Sequence, residues 1–118
     1  MQMNLRSIGT VVAKVEDSSR IEIHPDFSAG LRGIEQNSHI WIIFWMHKLS
    51  EAHRAILEAY PMGDRTKEKR GVFALRSPMR PNPMGLTKVK LVERKDNILI
   101  VSGLDALEGS PIVDIKPA

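Results

Sequence analysis

The chain has 118 residues, 42% of them hydrophobic and 26% charged, with a net charge of +3 at pH 7. That balance is ordinary for one globular domain, and its mild basic excess allows an anionic partner. The absence of cysteine excludes disulfides, thiolate metal sites and cysteine nucleophiles. No apolar run reaches membrane-spanning length, and Met1–Leu5 is too short and polar for a secretory signal, so a cytoplasmic chain without a membrane partner is expected.

Ile8–Val15 is rich in β-branched residues and predicts a first strand, with Gly9 marking a bulge or a close approach. Residues Glu16 to Ser19 form a turn, and Arg20–His24 alternates as a second strand in a hairpin, ended by Pro25-Asp26. Phe27–Gly33 is a glycine-bearing loop or short helical turn anchored by Leu31. No glycine-rich nucleotide-binding fingerprint or P-loop occurs, which argues against a Rossmann site.

His39–His47 is the most apolar stretch. In a strand, His39, Trp41, Ile43, Trp45 and His47 share one face, while Ile40, Ile42, Phe44 and Met46 share the other. Both faces are apolar, so covering on both sides is expected, with the outer cover a helix or a second subunit. At about 3.3 Å per residue, the two terminal histidines are too far apart to share an ion, and no metal is expected. His47 is left to cap the strand end or meet a ligand.

Ser50 is placed to cap a helix over Glu51–Tyr60, whose Ala52, Ala55, Ile56, Ala59 and Tyr60 fall on one stripe before Pro61 stops it. Gly63–Arg70 follows as a polar, net-basic loop. Such runs are most often solvated, and a minority contact phosphate backbones.

Gly71–Leu86 reads GVFALRSPMRPNPMGL. It begins as an apolar strand, Gly71–Leu75, and becomes a stretch that is neither helix nor regular strand. Pro78, Pro81 and Pro83 each fix φ, remove a donor and push the preceding residue towards extended backbone. Arg76 and Arg80 therefore ride on a stiff segment, and Gly85 is expected to turn the chain into the next strand. Little freedom remains to be lost on binding, which suits a polar or anionic ligand. Without a ligand the same stretch is a proline-stiffened barrel corner with solvated arginines. A hairpin follows, Thr87–Glu93 and Asn97–Ser102 about Lys95-Asp96, then the loop Gly103–Pro111 and a last strand Ile112–Ile115. About seven short strands and one helix predict a single mainly antiparallel β-barrel domain over residues 1–118.

Two of these stretches carry a resemblance. Gly71–Leu86 closely resembles a signature of the TsaA/TrmO-like (UPF0066) tRNA methyltransferases, and Gly103–Pro117 (GLDALEGSPIVDIKP) resembles their second. Ser38-His39-Ile40 and Ile8-Gly9 are similar to two shorter family motifs. The resemblance implies a single-sheeted antiparallel β-barrel with one or two short helices that binds S-adenosyl-L-methionine, usually as a homodimer. It further implies methylation of the exocyclic amine of threonylcarbamoyl-adenosine next to the anticodon of tRNA. Carried over position by position, the cofactor contacts are His47, Lys48, Arg76, Leu86, Ala106, Leu107, Glu108 and Gly109.

Those residue types suit the chemistry. Methyl transfer from a sulfonium rests on in-line positioning. Arg76 can hold a carboxylate in fork geometry, and the backbone of a glycine-containing loop can approach adenosine closely. Arg80 and Asn82 are candidates for substrate binding, with Lys48 and the Gly63–Arg70 loop beside them. Asp105 and Asp114 are weak candidates for accepting a proton, and a structural role suits both better.

The chain differs from the family pattern in four places. Val12–Ile23 is a short hairpin where members carry a Pro-basic-Gln segment, Ala74-Leu75-Arg76 replaces Ala-Thr-Arg, and Glu108-Gly109-Ser110-Pro111 replaces Asp-Gly-Thr-Pro. The sequence ends at Ala118, where longer members continue into a further domain. Two other readings follow: a short cofactor-binding module without tRNA methyltransferase activity, or a methyltransferase for a smaller substrate. A purely structural dimeric barrel would show no ligand stabilisation at all.

Overall fold

The computed structural model describes all residues, Met1–Ala118. Its strands, in chain order, are β1 (Gly9–Val15), β2 (Ser18–Ile23), β3 (His39–Trp45), β4 (Glu58–Ala59), β5 (Arg70–Gly71), β6 (Met84–Lys95), β7 (Ile98–Ser102) and β8 (Pro111–Pro117). One α-helical turn, α1, covers Glu51–Arg54. Two compact units emerge: Met1–Trp45 with Gly85–Ala118, and Met46–Met84.

The first unit is a closed barrel in the order β1-β2-β7-β6-β3-β8. Closure removes the free edges that an open sheet would expose. Alternation sets what lies inside. Val11, Ile21, Ile23, Ile40, Ile42, Leu99, Val101 and Ile112 are all at most 1% exposed, and Val89 and Phe44 join them in the core. The residues between them face outward, as a period of two requires, and on β2 these are the polar Ser18, Arg20 and Glu22. β1 and β2 are joined by Glu16-Asp17 alone, with Val15 paired to Ser18 and Glu16 at φ +55°. The turn is thus shorter than expected, and Ser18 and Ser19 belong to the strand. Lys95 pairs with Ile98 across a matching two-residue turn with Asp96 at φ +54°.

β6 begins at Met84, so Gly85 lies within a strand rather than at a turn. Space is the reason for glycine here: a Cβ would sit 2.2 Å from Cζ of the Phe44 ring. Gly9 is likewise a close approach, with the Glu22 carbonyl oxygen 2.5 Å from where its Cβ would lie. On β3 the inward face is buried, whereas Trp41, Ile43 and Trp45 on the outward face are only half-buried. Between β2 and β3, Pro25–Leu31 and Ile34–Gln36 form 3-10 turns. With the ends of β2, β3 and β8 they bound a cavity of about 540 Å³, lined among others by Phe27, Leu31, Ile40, Asp114 and Ile115.

The second unit overturns two local expectations. The helix stops at Arg54 instead of Tyr60. Beyond it the Leu57 carbonyl accepts the Val72 N–H at 2.9 Å, and Glu58–Ala59 pairs with Arg70–Gly71. The hairpin thus uses backbone groups that a longer helix would need for itself, and Ala52 and Ala55 are exposed. Strand Gly71–Leu75 shrinks to Arg70–Gly71, because Val72–Ala74 winds into a 3-10 turn that buries Val72 and leaves Phe73 77% exposed. Ser50 does lie at the helix N-terminus, where its N–H donates to His53 Nδ1 at 3.0 Å.

Candidate cofactor and substrate site

In the Met46–Met84 unit the proline-rich stretch is irregular, and its own side chains fasten it. Arg80 Nη1 donates to the carbonyls of Leu75 (3.2 Å) and Ser77 (2.9 Å). Ser77 Oγ accepts the Met79 N–H, and the Pro83 carbonyl accepts the Met46 N–H. Arg54 Nε donates to the Pro81 carbonyl at 2.6 Å, and its Nη2 donates to Asn82 Oδ1 at 3.4 Å. Arg80 and Asn82, expected to meet substrate, are therefore both engaged in holding the segment. Sequence reading missed Arg54. Its only local signal was Glu51 three residues earlier, with which it pairs at 2.9 Å, and nothing in that spacing points to residues 81 and 82.

The cofactor positions in this unit differ in character. Arg76 and Lys48 are exposed and enter none of the protein's ion pairs. His47 is half-buried, and its Nδ1 is a buried polar atom without a hydrogen-bond partner. Such an atom is costly unless something completes it.

In the barrel unit, the segment Leu104–Ser110 has no regular structure but is fixed at several points. Lys14 Nζ donates to the Leu104 carbonyl (2.7 Å) and to Ser19 Oγ (3.0 Å). Thr87 Oγ1 donates to Asp105 Oδ1 at 2.5 Å. The Gly109 N–H donates to the Val11 carbonyl (2.7 Å), and the Val11 N–H donates to the Ser110 carbonyl (3.0 Å). Ala106 is buried at 1% exposure, while Leu107, Glu108 and Gly109 face outward. Leu86 on β6 is 43% exposed and Leu107 58%. The segment is thus rigid in backbone and offers apolar side chains to its surroundings.

Lys14 and Thr87 were not foreseen as supports. Lys14 lies just past the register shift between Val11 and Ala13, and a bulge of that kind re-aims side chains in a way alternation does not anticipate.

The two acids are not brought together. Asp105 holds the loop through Thr87. Asp114 lines the 540 Å³ cavity, where its Oδ1 accepts the Ile115 N–H at 2.9 Å and its Oδ2 lies 3.2 Å from Lys116 Nζ. No group of three histidine or acidic side chains converges as a metal site would require.

Barrel topology, the proline-rich segment and the fixed loop define a class. Residues 9–118 match the model of the tRNA-methyltransferase O N-terminal domain, and the chain belongs to that family. A probable S-adenosyl-L-methionine-binding protein of Methanothermobacter thermautotrophicus is 48% identical over 101 residues, covering 86% of this chain and 69% of that protein. The human tRNA (adenine(37)-N6)-methyltransferase is 41% identical over 98 residues, covering 83% of this chain and 21% of the human one. The crystal structure of TrmO from Pseudomonas aeruginosa superposes with a TM-score of 0.73 at 28% identity, over 100% of this chain and 56% of that one. The chain therefore spans only part of the relatives it matches.

Proposed function

We propose that this chain is the S-adenosyl-L-methionine-binding domain of a methyltransferase acting on the exocyclic amine of threonylcarbamoyl-adenosine next to the anticodon of tRNA. The observation that carries the proposal is the family match over residues 9–118. The donor set fits the cofactor, because a buried histidine nitrogen lacks a partner and an unpaired arginine stands on a stiffened segment. When bound, the cofactor supplies an electrophilic methyl group on a sulfonium.

The chain's own residues then bind and orient. Arg76 forks onto a carboxylate, and His47 Nδ1 completes its hydrogen bond with a ligand polar group. Leu86 and Leu107 offer apolar contact to an aromatic base, beside the backbone of Ala106, Glu108 and Gly109. Lys48 adds positive charge. Asp105 and Asp114 already serve structural hydrogen bonds, so rate enhancement is assigned to alignment of the acceptor rather than to a strong general base. A cytoplasmic setting accords with the substrate, and no helix is long and apolar enough to cross a membrane.

The test is transfer of a labelled methyl group to tRNA bearing threonylcarbamoyl-adenosine, with tRNA lacking that group as control. Label only in the first supports the assignment. Cofactor binding without label in either favours the second reading, a binding module. The tight Glu16-Asp17 turn motivates that reading, since it leaves no room for the family's Pro-basic-Gln segment.

The half-buried Trp41, Ile43 and Trp45 face of β3 supports a homodimer. Sedimentation at micromolar concentration is expected to give twice the chain mass, and a monomer at that concentration contradicts the dimer.

A further inference from the structure

We infer that the Tyr60–Arg70 loop is a gripping surface for the phosphate backbone of a structured RNA. The inference rests on the methyltransferase reading and adds to it the part of this chain that meets the RNA.

Charge is concentrated here. Arg65, Lys67, Lys69 and Arg70 stand against Asp64 and Glu68, so this loop carries +2 of the whole chain's +3. All four cations are exposed. The ion pairs of the protein, Arg54–Glu51, Arg94–Glu35 and Lys116–Asp114, leave every one of them out.

The loop is also organised, which a merely solvated charge run need not be. Its ends are closed by the pairing of Ala59 with Arg70 and of Glu58 with Gly71. The Asp64 carboxylate is engaged internally, accepting the Thr66 N–H at 2.9 Å and the Thr66 hydroxyl at 2.6 Å. Tyr60 gathers two of the cations, with Arg65 Cζ 5.5 Å and Lys69 Nζ 5.4 Å from its ring centre. The ring's quadrupole offsets part of the repulsion between them.

Cations held together without an acidic partner suit an anion. Because all four side chains are exposed, an extended polyanion fits better than a small ligand that needs enclosure.

The experiment measures fluorescence anisotropy of labelled tRNA with the full chain at several salt concentrations. The R65Q/K67Q/K69Q variant is expected to lose about tenfold or more in affinity. Its slope of log affinity against log salt should fall by roughly two, since each phosphate contact contributes about 0.7 to 0.9. Glu68→Gln should tighten binding. Tyr60→Phe should bind as the parent does and Tyr60→Leu more weakly, because the ring positions cations and does not itself carry charge. The thermal shift given by S-adenosyl-L-methionine should persist in the triple variant, showing that it is folded.

A parent chain that binds tRNA while the triple variant matches it in affinity and slope overturns the loop assignment alone. A parent chain that is shifted by the cofactor yet binds no tRNA overturns both this inference and the RNA half of the proposed function. Binding to vesicles of anionic lipid with none to tRNA has the same consequence.

Discussion

Gly85 shows how a single residue can be indispensable for a reason its surroundings in sequence disguise. It follows a run of prolines, where a glycine reads as a turn, yet it sits in β6 with the Phe44 ring against its backbone. Gly85→Ala forces that ring or the strand aside and is expected to cost about 1–3 kcal/mol by overpacking. Urea unfolding would show the loss as a lower midpoint, and Phe44→Leu in the same chain should recover part of it. An unchanged midpoint would mean the ring swings away freely. The contrast with His47 is instructive. Its place at the end of an apolar strand was legible from the sequence, but its buried, unpartnered Nδ1 depends on three-dimensional surroundings that no spacing records.

Among the elements, the proline-rich segment and the Leu104–Ser110 loop share one logic. Each lacks a ladder of its own, so side chains, its own or from elsewhere in its unit, satisfy its carbonyls. Arg80 serves two of them, at Leu75 and Ser77, and Lys14 serves Leu104. Arg80→Ala should destabilise the protein by roughly 1–3 kcal/mol by leaving these acceptors unmet. Both bonds come from the single nitrogen Nη1, so Arg80→Lys, whose ammonium carries three donors, should recover part of the loss. A calorimetric midpoint identical to the parent's would show that water replaces the guanidinium at no cost.

The barrel strands were readable because runs of β-branched and aromatic residues mark them, and on β2 alternation with polar residues also marks the buried face. Ile40, Ile42 and Phe44 share one face, as the period of two requires, and that face is the buried one. The Glu51–Tyr60 helix misled for the same kind of reason. Its apolar stripe is genuine, but backbone pairing of residues 57–59 with 70–72 overrode a weak local propensity. Supports such as Arg54 and Thr87 act across long separations and leave no periodic trace.

Across the whole chain, the irregular segments of both units are stiffened in advance so that binding energy is not spent on ordering them. The cofactor expectation is therefore a statement about stability as well as chemistry. The most direct test is thermal unfolding of the chain and of its Arg76→Ala variant, each with and without S-adenosyl-L-methionine. A ligand at 100 times its dissociation constant adds about 2.7 kcal/mol, which for a domain of this size raises the midpoint by roughly 10 °C. That rise is expected for the parent chain. A much smaller one is expected for Arg76→Ala at the same concentration, because a charged hydrogen bond worth about 1.5–3 kcal/mol is gone. A parent midpoint that does not move up to millimolar cofactor would contradict the assignment.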